Sequence, residues 1–346
     1  MTLRRSLVSL HRWLGLAAAL LWLLQAATGT LIVFHWEIDD ATVAGAHRPT
    51  DLAALQRRAD AFAAAGAPVQ SIWTSAGALD RWDLSLANGD SVRVDGAGDV
   101  LRTRRDGDGL ANGGLIDRIV VLHQSLLAGD AGHWIIGLSG VLLLTNLALG
   151  LCVAWPRRDQ WRRAIRPISP KPVAARHFSW HRAVGLWAVI PAMLAIACGT
   201  VLALSDAFAS LAPAPPAVAA HAAEPIRIGM IQAIAIARRR HPGASLSGID
   251  FAAPASPSWT VHLKQRGERV RAYGNTNVTV DAATGAITAD DDALRGGAGK
   301  WLHNHYFAIH TGEIAGLGGR VAMFAIGLWL LAMIYMGTRL WLARRR

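Results

Sequence analysis

Four long stretches of the chain carry no Asp, Glu, Lys or Arg: Trp13 to Trp36, Ala131 to Pro156, Ala183 to Ser205 and Val321 to Thr338. A hydrocarbon core about 30 Å thick takes roughly 20 helical residues to cross. No water is present there to satisfy backbone groups, so such stretches fold as helices. The expected architecture is therefore membrane α-helical. Four spans are expected at residues 13–36, 131–156, 181–205 and 314–341, the last lengthened through the uncharged run before Arg320. Between them lie two extracytoplasmic segments, 37–130 and 206–313. A basic loop at 157–180 and the short ends, 1–12 and 342–346, face the cytoplasm. The first stretch follows Arg4 and Arg5 as a signal peptide would. Its apolar run is longer than a cleaved leader needs, and a near-copy recurs in mid-chain, so a retained helix is expected.

The net charge of +11 is divided unevenly. Residues 1–35, 133–204 and 320–346 hold 16 Lys and Arg against 1 acidic residue, and the remainder hold 19 against 23. Basic residues collect in short cytoplasmic loops, which puts both termini and the Arg157–Arg176 loop inside. Topology thus accounts for the charge, and no nucleic-acid partner is expected. Trp13, Trp36, Trp134, Trp155, Trp180 and Trp341 bracket the spans, where indoles favour the headgroup layer of a lipid bilayer. The two cysteines, Cys152 and Cys198, both fall inside spans. They leave no disulfide framework and no cluster for iron–sulfur or zinc.

The chain is an internal duplication. His11-Arg12-Trp13-Leu14-Gly15-Leu16 and Gly29-Thr30 recur, without a gap, 170 residues later as His181-Arg182-Ala183-Val184-Gly185-Leu186 and Gly199-Thr200. The second and fourth helices align at an offset of 187: His123 on His310, Gly132 on Gly319, Gly140 on Gly327 and Gly150 on Gly337. The outer segments repeat more loosely. Each has an Ala-rich helical stretch (51–62 and 228–240), then strand-like alternation, then a β-branched hairpin with an Asp/Gly turn, at 92–98 and 278–285. Two small α+β modules are expected, the second entered through an Ala/Pro-rich lead-in at 212–223.

Of 13 histidines, His47, His221, His241 and His262 read as surface residues. The repeat generates four others in pairs. His11 and His181 begin outward-running helices and share the cytoplasmic depth. His123 and His310 precede inward-running helices and share the opposite depth. Two imidazoles facing each other can hold the iron of a b-type haem, and the duplicated glycines let helices approach a flat macrocycle. The same pattern also fits interfacial histidines, packing glycines and histidines copied without function.

The HRxxGL starts, the LH…AG…G and IH…AG…G approaches to the second and fourth helices, and the VRVDGAGDV and VTVDAATGAI hairpins resemble the PepSY-associated transmembrane family. The resemblance covers essentially the whole chain and rests on the order and duplication of the motifs. It implies PepSY-like outer modules and a bacterial inner-membrane protein of the iron-regulated, ferric-siderophore reductase type. It further implies two b haems held by His11 with His181 and by His123 with His310, and no other catalytic residue. The partners implied are a periplasmic ferric chelate and a separate electron donor, a quinol or a flavoprotein, since the chain has no Gly-rich dinucleotide loop. In the family pattern a basic residue follows the glycine before the second helix. Arg320 holds that place in one half and His133 in the other, which makes His133 a substitute candidate ligand. His303 and His305, near Trp301 and Tyr306, are candidates for the chelate's docking place. The alternative function is a non-catalytic scaffold or sensor whose modules bind periplasmic proteins. A transporter fits less well, because the spans hold no charged relay.

Overall fold

The computed structural model describes residues 3–45, 47–75, 80–105, 107–209, 225–253, 257–269 and 273–344. The lead-in at 212–223, with His221, lies outside them. The chain forms two compact units. One comprises Met1–Val33, Ile119–Ala212 and Ile309–Arg346, the other Phe34–Arg118 and Pro213–Ala308.

The first unit is helical. Its long members are α6 (Gly129–Ala154), α8 (Val173–Ala209) and α11 (Gly316–Ala343), with the single turn α7 (Trp161–Ala164) between α6 and α8 in the chain. Among the described residues three helices are long and apolar enough to cross a membrane, and four if α1 (Leu3–Ala17) and α2 (Ala19–Ile32) make one bent span. Leu138, Val141, Leu142, Ile190, Leu194, Leu317, Val321 and Leu328 on these helices are exposed. An outward apolar surface of that extent suits lipid and not water. α8 packs against α6 and α11, α2 against α11, and α1 against α6.

The first span is not straight: α1 and α2 meet at a 64° bend. The bend falls at Ala18, whose φ of −97° and ψ of 0° depart from helical values. Hydrogen bonds from Ala18 N to Leu14 O and from Trp22 N to Ala18 O nevertheless run through it. Ala17, Ala18 and Ala19 are good helix formers, so the local sequence carries no signal for the bend.

The duplication is visible in contacts. Gly140 of α6 lies against Thr200 of α8, and Gly327 of α11 lies against Thr30 of α2, each without room for a Cβ. Both members of the second contact are the repeat equivalents of the first. Two buried tryptophans complete the packing: Trp22 donates to Ser139 Oγ at 3.0 Å and Trp329 to the Val184 carbonyl at 2.7 Å.

The second unit contains the strands. β1 (Val69–Thr74), β2 (Arg81–Leu86), β3 (Ser91–Asp95) and β4 (Val100–Arg104) form one antiparallel meander. β5 (Ser245–Asp250), β6 (Ser258–Lys264), β7 (Thr276–Asp281) and β8 (Ile287–Asp291) form the other. The sequence suggested two separate modules, but the meanders share one eight-stranded sheet of order β4-β3-β2-β1-β5-β6-β7-β8. The seam is an antiparallel pairing of β1 with β5, Ser71 opposite Asp250 and Trp73 opposite Gly248. Each meander alone would leave an unpaired edge there.

Period-two alternation sends Ile72, Leu84, Val92, Val94, Ile249, Val261, Leu263, Val278 and Val280 to one face. There they meet Leu55 and Ala59 of α4 (Leu52–Ala64) and Met230, Ala233, Ile234 and Ala237 of α9 (Met230–Arg240). The two hairpin turns fall where the sequence places them. Asp95 Oδ1 accepts from Ala97 N and Asp99 N before Gly98 at φ +79°, and Asp281 Oδ1 accepts from Ala283 N and Thr284 N before Gly285 at φ +75°. In each turn an Asx bond and a glycine in the left-handed region reverse the chain.

The opposite face is polar. Asp39, on α3 (His35–Ala41), accepts from Arg93 and Arg102 at 2.7 Å, and Arg93 also binds Asp83. Burial alone would raise the Asp39 carboxyl, but Arg102 and Arg93 outweigh it and hold it below its ordinary range. Two histidines read as surface residues belong to the folded interior. His262, partly buried, packs tilted against Trp73 at 4.3 Å and bonds to Asn277 and Asp250. His241 is buried against Asp290.

Candidate functional site

The helical unit brings the four repeat-generated histidines together as two pairs. His11 of α1 faces His181 of α8 with ring centres 6.2 Å apart and planes inclined at 51°. His123 of α5 (Gly114–Ser125) faces His310 of α10 (Ala298–Thr311), also with centres 6.2 Å apart, at 23°. His133 does not join either pair; its Nδ1 lies 3.7 Å from Asp206. His305 is buried, stacked on Trp301 of its own helix at 4.4 Å, while His303 is exposed beside Tyr306.

Each paired imidazole sits in a cradle built to one plan. A neighbouring helix presents a glycine to the ring edge. A Cβ added at Gly150 would lie 2.9 Å from His11 Cε1, at Gly29 2.8 Å from His123, at Gly199 2.5 Å from His310, and at Gly337 3.4 Å from His181. One turn earlier on the same helix face stand Asn146, Gln25, Ala195 and Met333, respectively. Their backbone holds the ring's other nitrogen in three of the four cradles. The Asn146 carbonyl accepts from His11 Nδ1 at 3.0 Å and the Ala195 carbonyl from His310 Nδ1 at 2.8 Å. The Gln25 backbone bonds to His123, whose Nδ1 also lies 3.1 Å from Thr28 Oγ1. His181 Nδ1 is buried with no hydrogen-bond partner.

These partners fix the tautomer. A carbonyl can only accept, so Nδ1 of His11 and of His310 carries the proton. Thr28 gives its own hydroxyl proton to the Leu24 and Gln25 carbonyls, so its oxygen accepts from His123. Nε2 is left unprotonated in each case, which is the form that binds a metal. Burial, together with the neighbouring His310, pushes the His123 imidazole down to about 4, and burial also holds His310 below its ordinary value. Both are neutral at physiological pH.

The spacing fits one iron between each pair. A metal–imidazole bond is about 2.0–2.1 Å and a ring centre lies about 1.1 Å behind its nitrogen. Two axial imidazoles across one iron therefore have centres about 6.2–6.4 Å apart. Among the described residues no group of three or more His, Cys, Asp and Glu side chains could hold a bare metal ion. Each pair offers two imidazole nitrogens, the number that a macrocycle bringing four ligands of its own would leave to the protein.

The glycines were visible in the sequence because the repeat copies them; the acceptors were not. A backbone carbonyl is contributed by any residue, and Asn146, Ala195 and Gln25 share no side-chain chemistry. Thr28 could have been found only by knowing that it sits one residue before the cradle glycine Gly29.

The fold and the paired sites define a multi-pass membrane protein with two partly buried histidine pairs in its helical unit and a separate sheet-bearing unit. The family described as the PepSY-associated TM region matches residues 8–344, and the chain belongs to that family. Among curated proteins, none matches the chain.

Proposed function

We propose that the protein is a di-haem b electron-transfer protein of the bacterial inner membrane. It carries electrons from the cytoplasmic side to ferric iron in the periplasm, held as a siderophore chelate, for iron acquisition. The observation that carries this reading is the recurrence of one imidazole pair, at one spacing and in one glycine cradle, at two places related by the repeat. A stray stacked histidine pair could arise once. Two pairs at 6.2 Å, three of whose four rings have Nδ1 held by an acceptor, argue for a selected geometry.

When bound, a b haem at each pair supplies a one-electron Fe(III)/Fe(II) couple. His11 and His181 hold the inner group, and His123 and His310 the outer one. Asn146, Ala195, Gln25 and Thr28 keep the protons on Nδ1, and Gly150, Gly29 and Gly199 keep Cβ atoms out of the ring edges. The electron donor is a quinol or a flavoprotein. Each electron delivered converts one chelated Fe(III) to Fe(II), which hard oxygen ligands hold far less tightly. The charge split supports an inside position for α1 and the Arg157–Arg176 loop. The sheet unit, read as a fused pair of PepSY-like modules, lies in the periplasm, with the exposed His303 a candidate contact for the chelate.

The test is a vesicle assay. Purified protein in liposomes is given a reductant inside and a ferric hydroxamate with a ferrous-trapping dye outside. Dye should colour with the wild type and stay uncoloured with His310→Ala. Haem-loaded wild type that reduces its haems yet yields no Fe(II) would refute the reductase.

A further inference from the structure

The four cradles share a backbone plan but differ in the side chain one turn before the glycine. At the His11–His181 pair the two residues are Asn146 and Met333. At the His123–His310 pair they are Gln25 and Ala195. Met333 is the repeat equivalent of Asn146, and Ala195 of Gln25. The match extends to contacts, since Asn146 lies against Gly15 as Met333 lies against Gly185. Each pair thus receives one carboxamide, always from the first half, and one apolar residue, always from the second.

The backbone role does not require these amides. Ala195 gives its carbonyl to His310 at 2.8 Å as well as Asn146 gives its own to His11 at 3.0 Å. A polar side chain in a membrane-buried bundle costs free energy unless it is paired or has a task. Asn146 is only 7% exposed, and its Oδ1 is buried with no hydrogen-bond partner. Gln25 has its Nε2 buried in the same condition. The two unsatisfied atoms are of opposite sign. Asn146 leaves an oxygen, negative and acceptor-only, on the residue whose carbonyl holds His11. Gln25 leaves an amide N–H, positive and donor-only, on the residue whose backbone bonds to His123.

We propose that Asn146 and Gln25 are positioning residues that set the reduction potentials of the two haems in opposite senses, so that sites made alike by duplication become electrochemically different. The proposal rests on the haem reading above. An unpaired partial negative charge in a low-dielectric site favours the oxidised, more positive iron, and an unpaired N–H favours the reduced one. Asn146 therefore lowers the potential of the haem held by His11 and His181, and Gln25 raises that of the haem held by His123 and His310. The difference drives electrons outward.

The test is a spectroelectrochemical titration of the purified haem protein, with each haem assigned by its loss in His11→Ala or His310→Ala. Asn146→Met, which installs the residue of the equivalent cradle, should raise the inner midpoint and leave the outer one in place. Gln25→Ala, by the same logic, should lower the outer midpoint alone. If Asn146→Met fails to assemble, Met333→Asn replaces it and should move the inner midpoint alone. Two haems with unchanged midpoints, or midpoints that move together, would overturn the proposal while leaving the haem reading intact. A wild type without haem would overturn both.

Discussion

Both units of this protein carry the internal sequence repeat, and they carry it to different degrees. In the helical unit the repeat is gapless at offsets of 170 and 187, and it reproduces individual contacts: Gly140 on Thr200 and Gly327 on Thr30, four histidines on four glycines. In the sheet unit only the order of elements and the two Asp/Gly turns survive, and the halves have merged through the β1–β5 seam. The difference follows from what each unit must satisfy. A strand needs only alternation, which many sequences supply. An imidazole pair at a fixed spacing needs a histidine on each half and a glycine on the neighbouring helix where the ring edge approaches, which few sequences supply.

That comparison can be broken outright by topology. A reporter active only in the periplasm should work when fused near Gly107 or Ala289, in the sheet unit, and fail near Asp159. Periplasmic activity at Asp159 would invert the arrangement.

Next in size are the histidines. His11→Ala and His181→Ala should each abolish the same haem signal, and the double variant should lose no more than either single, because both act on one iron. His123→Ala or His310→Ala should remove the other haem, leave the first reducible and stop ferric reduction. His133→Ala should keep both. Loss of a haem in His133→Ala with retention in His123→Ala would show that the first half had moved its ligand.

A graded effect is expected at the cradle glycines. Gly199→Ala, at 2.5 Å from the ring, should weaken retention of the outer haem by about 10–100-fold, the usual loss when a metal ligand's support is disturbed. Gly337→Ala, at 3.4 Å, should be nearly silent. Equal effects at the two positions, measured as haem per chain after washing, would contradict the steric account.

The sheet unit should respond in stability and not in haem. Asp39→Asn breaks a buried network with Arg93 and Arg102 and should cost about 3–5 kcal/mol, with the haem spectrum unchanged. Since the folded carboxyl titrates below its ordinary value of 3.8, its contribution is full above that value and is lost as the pH falls through the lower folded one. Denaturant midpoints followed from neutral pH into acid should converge for wild type and variant.

What the sequence disclosed, and what it withheld, divides along the same line. Uncharged runs disclosed the long apolar helices because lipid tolerates little else, and duplication singled out His11, His181, His123 and His310 from the other histidines. The Ala18 bend was hidden in three helix-forming alanines. The β1–β5 seam joins segments far apart in the chain, and nothing local marks which strand edges will meet. His262 and His241 read as surface residues because their partners, Trp73, Asp250 and Asp290, are distant in sequence. The Nδ1 acceptors are mostly backbone and leave no mark in a residue pattern.

The account stands on the two imidazole pairs being haem sites. The most direct measurement is a reduced-minus-oxidised spectrum of the full chain purified in detergent, with haem counted per polypeptide. Two b-type haems per chain, both six-coordinate with histidine, are predicted. A protein that takes up no haem when supplied with it during expression would contradict the claim and leave the alternative of a membrane scaffold.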